Sequence, residues 1–301
     1  MLNECIDALN IDPKGVYVDV TLGGAGHSSL IASKLSGGTL YSFDQDDEAL
    51  ENASGIESLE PIKSNFKHLK KQLRLKGVKQ IDGLLADLGI SSHQIDCPER
   101  GFSYRYPEEK LDMRMSSSGE LTAADVLNTY SEADLHKIFG IYGELKNAKS
   151  LAQAVVRERV QGEYVTISDF LTAIDGLIST KFRAKYLAQV FQALRIEVNK
   201  EMEALEIMLE QAAEVLKPGG RLVVMSYHSL EDRLVKSFIQ KGKFKGQLEK
   251  DFFGNPIKPL EAVNRKPILA TEEEVLSNKR ARSAKLRVAE RIEEDQWQKT
   301  K

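Results

Sequence analysis

Cysteine, targeting segments and long apolar runs are scarce or missing in this sequence. Its 301 residues include two cysteines, Cys5 and Cys97, whose spacing is not that of a metal site. Two thiols do not make a disulfide framework, so we expect a reduced, cytoplasmic setting and predict no metal site. The N-terminal stretch is acidic and lacks a basic region, which argues against a signal peptide. No apolar run approaches the length of a membrane span.

Common nucleotide-binding signatures are incomplete. The fingerprint G-x-G-x-x-G has Ser29 at its third glycine when counted from Gly24, and Ala25 at its middle glycine when counted from Gly23. This disfavours a nicotinamide or flavin enzyme, and the absence of a P-loop Lys-Ser/Thr pair disfavours an ATPase. The net charge of −3 does not indicate a nucleic-acid-binding protein, although the C-terminal part is locally basic.

The run VYVDVTLGGAGH, residues 16–27, is the most informative stretch of the sequence. Its first residues are β-branched or aromatic and predict a buried strand. Its glycines predict a tight turn, and a helix is expected to begin near His27. Such a turn brings backbone N–H groups close to a ligand, because glycine has no side chain to block the approach. An ordinary strand-to-helix turn with flexible glycines is the alternative.

Strands and helices alternate over much of the chain. A helix is predicted over 2–9, a basic helix over 66–77, and further strands over 39–43, 61–65, 81–88, 221–227 and 283–292. Asp44 and Asp87 end two of these strands, and ligands bind at the carboxyl edge of parallel strands, where an acid holds ribose hydroxyls. For Asp44 the alternative is an acidic turn that begins the next helix. The pattern predicts an α/β fold with a doubly wound parallel sheet.

The alternation stops in the middle of the chain. From residue 122 to about 181 the apolar spacing is helical, with no evident strand, and predicts an inserted helical domain. One long amphipathic helix is predicted from 186 to about 216, where Lys217-Pro218-Gly219-Gly220 ends it.

Several long polar motifs resemble those of the MraW family of bacterial ribosomal small-subunit RNA methyltransferases. They are TLGGAGHS, DLGISSHQID, ERGFSYR, LDMRM, FQALRIEVNKE, PGGRLVVMSYHSLEDRLVK and NKRARSAKLRVAER. The resemblance implies a class I S-adenosylmethionine-dependent methyltransferase with a Rossmann-like doubly wound sheet and an inserted all-helical domain. The implied limits are 1–103 and 186–301 for the methyltransferase domain, and 104–185 for substrate recognition. The implied reaction methylates the exocyclic N4 of a cytidine in the decoding region of 16S rRNA, within the small ribosomal subunit.

The resemblance also implies the residues that bind S-adenosylmethionine. Ala25, Gly26 and His27 match the cofactor loop, which also includes Gly24; Asp44 matches the ribose-binding acid; Phe66 matches an aromatic that packs on the adenine; Asp87 matches the acid near the methionine end; and Gln94 matches a further contact. Without the resemblance, Phe66 would be interpreted as a core residue and Gln94 as part of a loop.

Asp87 and His228 are the candidates for catalysis. A proton acceptor near the cytosine N4 would help that nitrogen to pyramidalise, because its lone pair is delocalised into the ring. Asp87 is placed at the sheet edge for this role, although a role as cofactor ligand is favoured. His228 and Asp232 follow the fifth strand at the same edge. A plain helix start, with Asp232 near the positive end of the helix dipole, is an equal alternative for them.

Clustered cations are the candidates for RNA binding, since phosphates require positive charge. They are Arg100, Arg105, Arg114, Lys279, Arg280, Arg282, Lys285 and Arg287. Phe102, Tyr104 and Tyr106 alternate with Arg105 and are expected to stack on unpaired bases. For any single arginine a solvated surface role is the better interpretation, whereas the 279–287 cluster as a group favours RNA.

The sequence departs from the family pattern at two places. Family members usually have a His-containing segment before the stretch with which this sequence starts, and its loss is expected to weaken RNA binding or one wall of the cofactor site. Ser116 follows LDMRM where the family has an acid, which puts a role for that position in doubt. The alternatives are a methyltransferase of another substrate, a Rossmann-type oxidoreductase and a non-catalytic RNA-binding assembly factor. The oligomeric state, monomer or homodimer, stays open.

Overall fold

A computed structural model describes residues 1–116 and 118–293, which form two compact units. The first unit contains residues 1–89 and 202–293, and the second is Ile90–Glu201. The second unit therefore interrupts the sequence of the first. The domain limits 1–103, 104–185 and 186–301, with substrate recognition by the middle part, stay a prediction.

One mixed sheet organises the first unit. Its strands are β1 (Val16–Asp19), β2 (Thr39–Asp44), β3 (Leu59–Lys63), β4 (Ile81–Asp87), β5 (Leu216–Ser226), β6 (Leu260–Ala262), β7 (Ile268–Leu269) and β8 (Lys285–Arg291). Their order is β3-β2-β1-β4-β5-β8-β6, with β7 beside β8. The first five strands are parallel and β8 is antiparallel to β5. This is the doubly wound class I arrangement that the sequence predicts.

The helices form in the segments between the strands and throughout the second unit. They are α1 (Leu2–Leu9), α2 (Gly26–Ser33), α3 (Asp47–Glu51), α4 (Leu69–Leu75), α5 (Ser92–Asp96), α6 (Ala123–Thr129), α7 (Glu132–Ile141), α8 (Ala148–Glu158), α9 (Ile167–Ile174), α10 (Arg183–Asn199), α11 (Glu201–Val215), α12 (Ser229–Lys241) and α13 (Glu272–Ser277). Among the described residues, no helix has the length and apolarity needed to cross a membrane.

Both faces of the sheet are covered, as parallel strands require. Along β4, Leu84 and Ala86 pack with residues of α4 and α11, whereas Leu85 packs with residues of α1 and α2. Alternate side chains of a strand point to opposite faces, so the near-continuous apolar run of β4 fills two cores. The second unit has its own apolar core, which includes Phe139, Phe170 and the α10 residues.

The prediction of one long helix over 186–216 is wrong. α10 ends at Asn199, Lys200 has a left-handed φ of 51°, and α11 begins at Glu201. The Asn199 side chain donates to the Met113 carbonyl at 2.8 Å and accepts from the Met115 amide at 2.7 Å. The apolar spacing continues on both sides of this break, which is why periodicity alone does not reveal it.

Candidate active site at the carboxyl edge of the sheet

The glycine turn after β1 borders open space. Ala25 has a left-handed φ of 58°, and α2 begins at the next residue. A Cβ atom added to Gly24 or Gly26 would have no heavy atom of the described, non-neighbouring residues within 4 Å. No described side chain caps the first turn of α2. The turn therefore offers backbone N–H groups and room for a ligand, as expected for a binding loop.

Asp19, at the end of β1, is fully buried and accepts hydrogen bonds from residues before and after the glycine turn. Its Oδ1 accepts from the amide and hydroxyl of Thr21 at 3.0 and 3.1 Å. Its Oδ2 accepts from the Ser28 hydroxyl at 2.7 Å, and that hydroxyl also contacts the Ser42 hydroxyl at 2.8 Å. Because both of its carboxylate oxygens accept hydrogen bonds from Thr21 and Ser28, Asp19 positions the loop and the start of α2. This acid is therefore a structural support.

Asp44, at the end of β2, lies beside Gly23, the first glycine of the turn. Its Oδ2 accepts from the Gly23 amide at 2.9 Å, and its Oδ1 accepts from the Asp46 amide at 3.0 Å. Burial raises the pKa of Asp44 above its ordinary value, and these amide bonds act against that rise. Each carboxylate oxygen can accept more than one hydrogen bond. Asp44 therefore keeps acceptor capacity for two neighbouring hydroxyls of a ligand.

Phe66 lies in a 3₁₀ turn shortly after β3. The two residues before it, Ser64 and Asn65, are hydrogen-bonded to the end of β2 and the residue that follows it. The Ser64 amide donates to the Asp44 carbonyl at 2.9 Å, and the Asn65 side chain donates to Gln45 Oε1 at 3.0 Å. The Phe66 ring is partly buried against the core. Phe66 thus follows directly on the segment fixed to Asp44, and its predicted packing on an adenine stays a prediction.

Asp87, at the end of β4, makes contacts to three neighbouring elements. Its Oδ1 accepts from the Tyr227 hydroxyl at 2.8 Å, and its Oδ2 lies 3.7 Å from His27 Nδ1. Its amide donates to the Thr21 hydroxyl at 2.8 Å. Burial raises the pKa of Asp87 to about 6, although His27 and Tyr227 both favour the charged form. With 27% of its side chain exposed, this carboxylate is available to a ligand.

His27, which lies beside Asp87, has a polar ring atom without a hydrogen-bond partner among the described residues. Its Nε2 is buried and makes no hydrogen bond to any described residue. An unsatisfied buried polar group costs free energy unless a ligand or water meets it. Together with the open space at Gly24 and Gly26, this atom indicates that the loop fits a polar ligand.

Tyr227 contacts Asp87 at this site, although the sequence patterns did not single it out. Met225 is in register with Asp87, so Tyr227 follows just beyond the end of β5 at the same sheet edge. Burial and the nearby Asp87 raise the pKa of Tyr227, so its hydroxyl stays a donor. Its position directly after β5 is the signal that would have found it.

His228, the second catalytic candidate, is the N-cap of α12. Its Nδ1 accepts from the Glu231 amide at 3.4 Å, and Glu231 Oε2 accepts from the His228 amide at 3.3 Å. The His228 Nε2 lies 3.2 Å from Glu231 Oε1. These contacts form a reciprocal capping box. They support the helix-start alternative, and a catalytic role for His228 stays a prediction.

Asp232 is paired with two of the predicted RNA-binding cations. It lies 2.7 Å from Arg287 Nε and 3.2 Å from Lys285 Nζ. Although burial acts in the opposite direction, these partners lower the pKa of Asp232. Lys279, Arg280 and Arg282 are exposed, in contrast to the half-buried Lys285 and Arg287. The predicted cluster therefore divides into an exposed part and a part held in an ion-pair network.

The remaining predicted site residues lie in the second unit. Gln94 is buried and forms a capping box with Ser91 at the start of α5. Arg114 makes a bidentate contact with Asp112, with N–O distances of 2.8 and 2.6 Å. Arg100 donates to two backbone carbonyls, each at 3.2 Å. These contacts show structural roles and leave the predicted ligand contacts untested.

Arg105 is exposed, and the aromatic residues around it differ in burial. Phe102 is buried in the core of the second unit, so the expectation that it stacks on bases is wrong. The half-buried Tyr104 packs edge-on against Phe191, with a centroid distance of 5.6 Å. Stacking by Tyr104 and Tyr106 stays a prediction.

Comparison with known proteins places this site in a family. The model of the MraW methylase family matches residues 1–292. The ribosomal RNA small subunit methyltransferase H of Cytophaga hutchinsonii is 55% identical over 97% of this chain and 98% of that protein. The protein of the same name from Phocaeicola vulgatus is 54% identical over 97% and 96%. A solved rRNA methylase from Streptococcus thermophilus, 14% identical, aligns with a TM-score of 0.40 over 97% of this chain and 94% of that one.

The sequence relatives, and not the weak structural likeness, carry the assignment. They extend over almost the whole chain at more than half identity, which agrees with the resemblance in the motifs. S-adenosylmethionine, the cofactor expected from the sequence, is the methyl donor of such methylases. The chain belongs to the MraW methylase family.

Proposed function

We propose that this protein transfers a methyl group from S-adenosylmethionine to the exocyclic N4 of a cytidine in the decoding region of 16S rRNA, within the small ribosomal subunit. The observation that carries the proposal is the open glycine turn with the carboxylates of Asp44 and Asp87 beside it. Asp44 accepts from the Gly23 amide at the start of the turn, and Asp87 Oδ2 lies 3.7 Å from His27 Nδ1 at its end. The turn thereby contacts both acids.

The residues at this edge suit the parts of S-adenosylmethionine. Asp44 has acceptor capacity for the two ribose hydroxyls, and the half-buried Phe66 offers an apolar face to the adenine. The open space at Gly24 and Gly26 lets the chain approach the ligand closely. Asp87 offers a carboxylate to the methionine ammonium, and the orphaned His27 Nε2 offers a further polar contact.

The chemistry asked of the protein is mainly positioning. S-adenosylmethionine supplies a methyl group already activated by its sulfonium, so the enzyme must hold the N4 amine in line with it. An acceptor beside the N4 protons favours the pyramidal nitrogen that attacks. Asp87, partly exposed at the sheet edge and ionised above a pH of about 6, can serve this role or hold the cofactor.

The relatives' names support an RNA substrate, since they are called ribosomal RNA small subunit methyltransferases. A cytosine N4 becomes accessible when the base leaves its stack and enters a pocket. We place the reaction in the cytoplasm, where a small ribosomal subunit is available as substrate. The exposed cations Lys279, Arg280 and Arg282 are suited to the phosphates around the target.

Methyl transfer from labelled S-adenosylmethionine tests the proposal directly. The substrates are naked 16S rRNA, small subunits lacking the modification, and small subunits already carrying it. After digestion to nucleosides, we expect label in N4-methylcytidine from the unmodified particle alone, and none from naked RNA or from the modified particle.

Three other outcomes would contradict the proposal. Label in another nucleoside, or in a protein, would indicate a methyltransferase with a different target. Cofactor binding without transfer to any RNA would favour the alternative substrate, and absence of cofactor binding would favour an RNA-binding assembly factor.

A further inference from the structure

A basic surface on the first unit lies next to the site described above, on the part of the chain that follows Phe66. It is formed by Lys67, His68 and the helix α4, and its cations are Lys67, Lys70, Lys71 and Arg74, with Lys76 just after the helix. Leu69 and Leu73 of the same segment are fully buried. Since residues three and four apart share a helix face, the buried leucines hold α4 on the core while the cations stay at the surface.

The surface is concave, and its basic segment is hydrogen-bonded to α11. A depression with a volume of about 590 Å³ is bordered by Lys67, Lys70, Lys71 and Arg74 on one side and by Gln211 and Glu214 of α11 on the other. Gln211 Oε1 accepts from the Lys70 amide at 2.7 Å, and its Nε2 donates to the Lys67 carbonyl at 2.7 Å. This side chain fixes the basic segment against α11. We call this surface the α4 depression.

The cations of the α4 depression are only partly neutralised. Lys70 pairs with Glu214, and Lys76 pairs with Glu60 at 3.0 Å. Lys67, Lys71 and Arg74 form no ion pair with any residue in the described ranges 1–116 and 118–293. Burial, and then the charges of Lys67 and Lys71, lower the pKa of His68. The local field is therefore positive, and a neutral His68 can still offer a hydrogen bond.

We propose that the α4 depression binds the sugar-phosphate backbone of the RNA substrate, as a second contact surface besides the exposed cations at 279–282. Lys67, Lys71 and Arg74 extend over about two helical turns, about 10 Å, which suits successive phosphates of one strand. Phosphate contacts of this kind position an RNA without reading its sequence. This inference rests on the proposed function, which supplies RNA as the partner.

A charge-reversed variant, Lys71→Glu with Arg74→Glu, tests the inference. Its matched control is Lys14→Glu with Lys34→Glu, two exposed lysines of the same unit. Binding to unmodified small subunits is measured over a range of salt concentrations, and cofactor binding is measured separately. We expect affinity for the particle to fall about tenfold or more, and the salt slope to fall by about 1.4–1.8, because each of the two phosphate contacts contributes about 0.7–0.9. The control pair is expected to lose much less.

Neutralisation separates charge from folding. Lys71→Ala with Arg74→Ala keeps a strong helix former at both positions. It is expected to show a smaller loss of RNA affinity and unchanged cofactor binding. RNA binding and salt slope equal to wild type in the Glu variant would overturn the inference, as would an equal loss in the control pair or in cofactor binding.

The proposed function can fail separately from this inference. If the wild-type protein places no label in N4-methylcytidine, but the Glu variant still loses RNA affinity, the reaction is wrong and the surface stands. If the wild-type protein methylates the particle and the Glu variant binds it unchanged, the reaction stands and the α4 depression is an ordinary solvated helix face.

Discussion

Several opposing influences act on the charge of Asp87. Burial, Asp19 and Glu231 raise its pKa, whereas His27 and the Tyr227 hydroxyl lower it, and the balance is about 6. Both roles considered for Asp87, binding the methionine ammonium and accepting a proton, need the carboxylate. Activity is therefore expected to fall as the pH drops through about 6.

Tyr227→Phe should move this acid limb to higher pH. The variant removes a hydrogen bond to the charged form of Asp87, so the pKa of Asp87 rises. A hydrogen bond to a charged group contributes about 1.5 kcal/mol and a pKa unit corresponds to about 1.4 kcal/mol, so we expect a shift of about one pH unit. The measurements are the cofactor Kd and kcat at saturating cofactor, each against pH.

The two profiles also distinguish the roles of Asp87. A limb in the cofactor Kd indicates a cofactor ligand, whereas a limb in kcat alone indicates a proton acceptor. Tyr41→Phe, a matched change in β2, should leave both profiles in place. An unshifted limb in Tyr227→Phe would show that the hydroxyl does not set the charge of Asp87.

Asp87→Asn is expected to stabilise the folded protein at high pH. The folded pKa of about 6 lies above the ordinary value of 3.8, so the folded state binds more protons than the unfolded state between these values. Stability therefore falls as the pH rises through this window, and the loss is complete above it. Allowing for partial exposure, we expect a gain of about 1–2 kcal/mol at pH about 8 and almost none near pH about 4. Urea unfolding at both pH values measures it, and an equal gain at both would contradict the cause.

Asp44→Ala should weaken cofactor binding about 100-fold, because it removes acceptors for two hydroxyls and each bond to a charged group contributes about 1.5 kcal/mol. Titration calorimetry with S-adenosylmethionine measures the change. Asp47→Ala is the matched control, since Asp47 is exposed and pairs with Lys63. Unchanged affinity in Asp44→Ala would remove this residue from the site.

At the scale of the element, α12 depends on its N-cap. His228→Ala should reduce the free energy of unfolding by about 1 kcal/mol, because it removes the side chain that accepts from the first turn. His228→Asn keeps a good cap and should retain stability and most of the methyl-transfer rate. Urea unfolding and initial rates measure both. Restored stability with a lost rate in His228→Asn would instead assign His228 to the chemistry.

The helix start at His228 and the break at Lys200 show how far periodic patterns reach. The predicted α1, β2 and β4 agree with the structure within one residue. A helix with one buried face, or a wholly buried strand, has a characteristic spacing of apolar residues that can be recognised in the local sequence. The break at Lys200 depends on Asn199 bonding to residues 113 and 115. Those partners are more than 80 positions earlier in the sequence, so local spacing has no access to them.

At the scale of the whole molecule, charges of the same type differ in their surroundings. Reversing the exposed Lys279, Arg280 and Arg282 to Glu should weaken binding to unmodified small subunits and lower its salt slope by about 2–3, while cofactor affinity is retained. Arg287→Ala should mainly destabilise the fold, because it leaves the buried Asp232 with one partner fewer. Salt-dependent binding and thermal unfolding measure the two effects. Equal loss of cofactor binding in the triple variant would indicate misfolding instead.

Most of the alternation of strands and helices, the positions of Asp44 and Asp87 at strand ends and the family were determined by the sequence alone, whereas β6, β7 and the break at Lys200 were not. Each depends on residues that are close together in the chain: apolar spacing for the elements, a glycine turn after a strand for the loop, and contiguous polar motifs for the family. Asp44 and Asp87 were found this way because the ends of parallel strands share one edge.

Only the tertiary structure decided what these residues contact. Tyr227 reaches Asp87 across 140 positions of sequence, and Arg287 reaches Asp232 across 55. Such pairs follow from strand register and from the packing of α12, which no local pattern specifies. The same packing makes Asp19 a support, His228 a helix cap and Phe102 a core residue, since a side chain's role is set by the atoms that the fold brings to it.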